Sequence, residues 1–357
     1  MTLVFCFVTV SAALSFFKAD AQTSTQVKTS PTPPPVKSVS PEPTVEIDDE
    51  KIVIDTELVN LNVRVVDRNN RSIANLTQND FTIYEDNVPQ KIEFFSKAEV
   101  PTNYAMVIDN SGSMRLQLDK VIEASKIIVN TNRADDETSI IRFVNSENIE
   151  ITQDFTASKP DILEALDNLY IEGGATAIID AIYLAAERVD QYEKTRNPND
   201  RKRRALVLVS DGEDRDSFYK EQQLFELLRE SDVQIYVIGF VNELSKEGGF
   251  IGKSPQGKAR AFLERLAKET GGKVYFPNAL SELNGIATDI ANELRTQYMI
   301  SYQPSEDKKD VPYRAIKVTV NDGPNKERRI AITRTGIQKD NKNPTPTLQN
   351  QTKIKTQ

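Results

Sequence analysis

The chain has no histidine and a single cysteine, Cys6, in 357 residues. Without imidazole it cannot build a Ser-His-Asp hydrolase, a histidine general base or a His-ligated zinc site. One thiol excludes internal disulfides, cysteine-rich metal sites and a Cys-His nucleophile. Any metal held here must be held by oxygen, which points to magnesium, calcium or manganese. Apolar residues are sparse as well, 38% against 27% charged, so polar segments are expected outside the core. Basic residues are outnumbered, 45 Lys and Arg against 53 Asp and Glu, for a formal net charge of -8. A nucleic-acid partner is therefore not expected, because neutralising phosphates needs a basic surface. The length allows one large domain or two to three smaller ones.

Long apolar runs are scarce too. The one at residues 3–17 is followed by Lys18 and the small-x-small triplet Ala19-Asp20-Ala21. It falls short of the ~20 residues that a membrane-crossing helix needs. It reads as an export signal, residues 1–21, cleaved after Ala21, although no Lys or Arg precedes the run. Cys6 belongs to the discarded segment. The expected destination is secreted, periplasmic or cell-envelope, with no membrane span left after cleavage. Residues 22–51 are rich in Ser, Thr and Pro, including Pro31, Pro33, Pro34, Pro35, Pro41 and Pro43, and read as a disordered linker. The polar tail at 339–357 reads the same way.

Three blocks lie between. Residues 52–98 alternate apolar and polar side chains (Leu61, Val63, Val65; Phe81, Ile83), with turn chemistry at Asn69-Asn70 and Asp86-Asn87, which predicts antiparallel strands. Residues 99–297 change character. Short apolar runs at 104–108, 139–144, 205–209, 233–241 and 273–276 alternate with helical patterns at 116–130, 161–169, 178–192, 221–229 and 258–269. A last helix carries Leu283, Ala287, Ile290 and Leu294 on one face. Such alternation predicts a doubly wound, mostly parallel Rossmann-like sheet of the α/β class. Residues 298–338 return to strand patterning with Ile316, Val318 and Val320. Neither flanking β segment has enough strands to stand alone, so the two are expected to join as a small β-sandwich with the α/β domain inserted in it.

In open α/β sheets, ligands sit beyond the carboxyl ends of the strands. The first run leads into Asp109-Asn110-Ser111-Gly112-Ser113. The run at 205–209 leads into Ser210-Asp211-Gly212-Glu213-Asp214, and Gly173-Gly174-Ala175-Thr176 precedes a helix. Two carboxylates and three hydroxyls at one sheet edge suit a hard divalent cation, with a coordination position left for an outside carboxylate. Singly, Asp and Ser at strand ends are as well explained as helix caps. Asp214 and Asp216 read as a solvated loop rather than a second cation site. The basic run Arg201-Lys202-Arg203-Arg204 reads as a solvated loop at the opposite end of the sheet.

Asp109-x-Ser111-x-Ser113, with Thr176 and Asp211 in their loops, resembles the metal-ion-dependent adhesion site of von Willebrand factor type A domains. The resemblance covers about residues 100–298. It implies that Ser111, Ser113 and Thr176 contact the metal, with Asp109 and Asp211 acting directly or through water. It also implies Mg2+, or Mn2+ or Ca2+, as cofactor, and a protein ligand presenting an acidic side chain as partner. The flanking β segments resemble the secreted bacterial VWFA-related proteins. An adhesion-type binding module is the function expected. A magnesium phosphotransferase using Asp109 as nucleophile would need a second carboxylate nearby, and positions 111 and 113 are serines. A cytoplasmic ATPase partner subunit is disfavoured by the export signal. A non-catalytic subunit or scaffold with a vestigial metal site is the remaining alternative.

Overall fold

The computed structural model describes residues 58–97, 100–196, 202–247, 254–304, 313–338 and 355–356. The expected export signal and linker lie outside the described residues. So does the tail, apart from Lys355 and Thr356.

Four strands come first: β1 (Val59–Val66), β2 (Phe81–Glu85), β3 (Val88–Gln90) and β4 (Ile92–Ser96). Asp86 and Asn87 join β2 to β3 with positive φ, the left-handed backbone that Asp and Asn tolerate best. The chain then enters the α/β part. Its elements are β5 (Thr102–Asp109), α1 (Leu118–Asn130), β6 (Glu137–Phe143), β7 (Ile149–Thr156), α2 (Lys159–Asp167), α3 (Ile178–Arg196) and β8 (Arg203–Ser210). They continue with α4 (Glu221–Glu230), β9 (Gln234–Gly239), α5 (Pro255–Thr270), β10 (Lys273–Tyr275) and α6 (Leu283–Glu293). The last strands are β11 (Tyr298–Tyr302), β12 (Tyr313–Val320), β13 (Ile330–Ile332), β14 (Gly336–Gln338) and the two-residue β15 (Lys355–Thr356).

The α/β sheet has the order β10-β9-β8-β5-β6-β7-β15. Every residue of β5 is buried, as expected of a central strand covered by helices on both faces. Successive side chains point to opposite faces. Ala105 and Val107 pack with α3, α4 and α5, whereas Tyr104, Met106 and Ile108 pack with α1, α2 and α6. One strand was not visible in the sequence pattern. β7 runs antiparallel to β6 with two register shifts, and only Ile149 and Ile151 of it are fully buried, with Phe155 packed partly against the same core, too few to show a period. β15, in the tail expected to be disordered, lies parallel to β7 on its open edge. The helices start within a few residues of expectation. α5 begins earlier because Ser254 accepts from the Gly257 amide (3.1 Å) and Pro255 fits the first turn.

The outer strands form two four-stranded sheets, β13-β1-β11-β4 and β14-β12-β2-β3, each drawing strands from both ends of the chain. β1 pairs with β11, and β2 with β12, both antiparallel. Leu61, Val63, Tyr298 and Ile300 of the first sheet share one core with Phe81, Ile83, Ile316 and Val318 of the second. This is a small β-sandwich, closed through strands more than 200 residues apart. The Tyr298 hydroxyl ties its rim, donating to the Ile73 carbonyl and accepting from the Leu76 amide, both at 2.9 Å.

The basic run is not a solvated loop. Arg203 is 2% exposed and donates to the carbonyls of Leu294 (3.1 Å), Arg295 (3.3 Å) and Gln297 (2.7 Å). Arg204 bridges Asp190 and Asp232, and Lys202 pairs with Glu137. The C-terminal turn of α6 leaves carbonyls without helical partners, and a guanidinium at the start of β8 satisfies them. Arg201 lies outside the described residues.

Candidate functional site

The strand order reverses at β5: β6 lies on one side and β8 on the other. The two chain segments leaving β5 and β8 therefore diverge above a crevice, where ligands of such sheets gather. The Asn110 amide still bonds the Phe143 carbonyl (2.9 Å), so Asp109 is held in the sheet. Its carboxylate is fully buried. Oδ1 accepts from the Ser111 amide (2.9 Å), and Oδ2 from the Ser210 hydroxyl (2.7 Å). A tight turn at Gly112–Met114, pinned by buried Met114, brings the Ser111 and Ser113 hydroxyl oxygens to 3.0 Å.

Asp211 follows on β8, 4% exposed, its Oδ1 accepting from the Glu213 amide (3.0 Å). The turn depends on Gly212. Its φ is +82°, and a Cβ there would stand 2.9 Å from Leu263 Cδ1. Thr176 sits on the third loop, 5% exposed, and its carbonyl accepts from the amides of Arg215 (2.8 Å) and Asp216 (3.2 Å). The Thr176 loop is thus tied by backbone to the loop that begins at Asp211. Among the described residues no hydrogen bond links the Thr176 hydroxyl to the other four side chains.

Burial pushes the Asp109 carboxyl up to about 6; the Ser111 and Ser210 hydrogen bonds oppose that rise, and the charge of Asp211 adds to it. Among the described residues no ion pair reaches either carboxylate, and no cluster of three or more His, Cys, Asp or Glu suits a metal. What the edge offers is two carboxylates and three hydroxyls, all oxygen. That donor set fits a hard cation that keeps water or an outside ligand, and does not fit a soft one.

Two supporting residues escaped the sequence reading. Ser210 holds Asp109, and its signal was only its place beside Asp211. Asn110 is buried between Asp109 and Ser111. Its side-chain amide donates to the Tyr170 carbonyl (2.7 Å), and its main-chain carbonyl accepts from the Glu172 amide (2.9 Å), so it anchors the loop that leads to Thr176. Asp214 and Asp216 lace loops together: Asp214 accepts from the Ile179 amide (3.4 Å) as well as from the nearby Ser217 hydroxyl, and Asp216 from the Ser146 hydroxyl (3.2 Å).

The sequence model of the von Willebrand factor type A domain matches residues 104–289. Solved structures of similar fold include an aerotolerance-related membrane protein from Bacteroides fragilis, with 21% identity, 54% of this chain and 98% of that one covered, and a TM-score of 0.42. A von Willebrand factor type A protein from Catenulispora acidiphila shares 12% identity, with 73% and 74% covered and a TM-score of 0.44. Proximal thread matrix protein 1 from the mussel byssus, with a zinc-occupied MIDAS motif, shares 18%, with 55% and 48% covered and a TM-score of 0.43. No curated protein matches the chain. Because the matched segment takes in just over half of the 357 residues and coincides with the α/β sheet and its three site loops, the chain belongs to the von Willebrand factor type A domain family.

Proposed function

We propose that this protein is an exported, metal-dependent binding module that captures a partner protein through a divalent cation. Domains of this family are typically metal-dependent protein-interaction modules rather than catalysts. Asp109, Ser111, Ser113, Thr176 and Asp211 would hold the ion, Mg2+ in the first place, or Mn2+ or Ca2+. The ion supplies a positive centre with a position open to a carboxylate of the partner. The observation that carries this reading is the fully buried Asp109, set beside Asp211 with no ion pair to either among the described residues. A carboxylate held that way is costly unless a cation compensates it. Ser210 orients Asp109, and Asn110 fixes the loop before Thr176. Among the described residues no helix is long and apolar enough to cross a membrane. Export rests on the segment at 1–21.

The test is melting temperature against metal concentration. Added Mg2+ or Mn2+ should stabilise the wild type by RT ln(1 + [L]/Kd). Asp109→Ala and Asp211→Ala should remove the response, while Asp216→Ala should keep it. A flat wild-type curve at millimolar Mg2+ and Mn2+ would leave the scaffold with a vestigial site as the better account.

A further inference from the structure

Among the described residues, three large apolar side chains stand exposed in the α/β part: Leu116 at 77%, Tyr170 at 54% and Phe218 at 49%. Among the described residues the outer faces of α1 to α6 add none. Each of the three lies on a loop that carries site oxygens. Leu116 follows Ser113, Tyr170 precedes Thr176, and Phe218 follows Asp211. The loops are fastened to one another as well. The Tyr170 carbonyl is held by Asn110, and the Phe218 amide donates to Asp180 (2.8 Å) at the start of α3, the helix entered from Thr176.

Both rings are braced from behind. The Arg142 guanidinium lies 4.4 Å from the Tyr170 ring centre and is itself bonded to Glu150 and Glu172. Phe218 meets Tyr219 edge-on at 5.6 Å, and Tyr219 stacks on Tyr183 at 3.8 Å. Exposed apolar side chains scattered singly are ordinary; gathered at one edge and missing from the rest of a domain, they mark a contact surface. Aromatic anchors already held in place lose little freedom when a partner covers them.

We propose that Leu116, Tyr170 and Phe218 form an apolar collar around the metal position, and that the partner is a peptide segment whose acidic residue is flanked by apolar side chains. The inference rests on the metal-dependent reading above. The complement of a cation between Asp109 and Asp211 is a carboxylate, which fixes where the segment docks. The complement of the collar is apolar, which selects among acidic segments.

A random twelve-residue peptide library displayed on phage tests this, selected on the full chain in millimolar MgCl2 and eluted with EDTA. The expected sequences carry an Asp or Glu with Leu, Ile, Val, Phe, Tyr or Trp enriched within two positions of it. Their binding should fall about tenfold or more on Leu116→Ser combined with Phe218→Ser. It should persist on Phe94→Ser, an equally apolar surface change in the β-sandwich. Acidic sequences without apolar enrichment, or equal binding by the Leu116 and Phe218 variant, would overturn the collar and leave the metal reading standing. An empty EDTA eluate from protein that Mg2+ does stabilise would also overturn it. Loss of the Mg2+ response itself would mean that the metal reading has failed.

Discussion

Asp109 shows how one side chain sets the chemistry of the edge. Its carboxyl titrates at about 6 in the folded protein because it is buried, whereas in an unfolded chain it returns to the usual ~3.9. The folded state therefore holds its proton more tightly, and without metal the group withdraws stability as pH rises through that window. Two units correspond to about 3 kcal/mol. In EDTA, Asp109→Asn should match the wild type near pH 4 and exceed it by up to about that amount at pH 7.5, measured by denaturant unfolding. Millimolar Mg2+ should close the gap at pH 7.5. Parallel pH curves for the two proteins would mean that the buried charge is compensated by something other than a cation.

At the scale of elements, the site is an assembly of loops held by strands. Residues 168–177 form no helix or strand, and what holds them is a small set of contacts. Asn110 takes the backbone at Tyr170 and Glu172, and Arg142 on β6 takes the Glu172 carboxylate at 3.0 Å while touching the Tyr170 ring. Thr176 lies at the far end of this braced loop, where its carbonyl is held by the Arg215 and Asp216 amides. Groups behind metal ligands commonly change affinity by 10–100-fold when removed. Glu172→Gln should therefore weaken Mn2+ binding roughly tenfold, read from the metal dependence of melting temperature. The melting temperature without metal should hardly move, since the Glu172 side chain is 39% exposed and such pairs contribute little. Unchanged Mn2+ affinity would show that the loop is placed without the Arg142 contact.

On the largest scale, the β-sandwich and the α/β part meet where α6 ends. Arg64 of β1 meets Glu293 at 3.0 Å, with both side chains almost fully buried, and Arg203 of β8 holds the carbonyls beyond α6. The chain passes from there directly into β11, in the middle of a sandwich sheet. We propose domain limits at 52–98, 99–297 and 298–338, with the α/β unit inserted into a sandwich made by the two flanking segments. Deleting 298–338 would strip β1 of β11 and β13, and β2 of β12. Limited proteolysis of that variant should cut within 59–96 while 100–297 resists. Equal protection of 59–96 in both proteins would refute the shared fold.

Elements and site residues were legible to different degrees. The alternation at 61–65 and 316–320 declared strands, and the buried run 104–108 declared the central strand, because apolar periodicity is a local consequence of which face meets the core. Asp109, Ser111, Ser113, Thr176 and Asp211 could be named because each follows or precedes such an element within a few residues. β7 could not, since its pairing rests on β6 more than on its own pattern. The buried state of Arg203 was hidden for a related reason: its acceptors lie some 90 residues away at a helix end, and a run of basic residues looks the same in sequence whether it meets water or carbonyls. The sequence determined the class of fold and offered the oxygen-bearing loops proposed here to hold a cation, both of which are properties of short segments. Only the tertiary structure decided which segments meet. The reversal of strand order sets Ser210 against Asp109, and Asn110 reaches across to Tyr170. The exposed apolar residues Leu116 and Phe218 follow the parallel strands β5 and β8, whose outgoing loops leave on the same side, and Asn110 and Arg142 hold Tyr170 in the loop between α2 and α3.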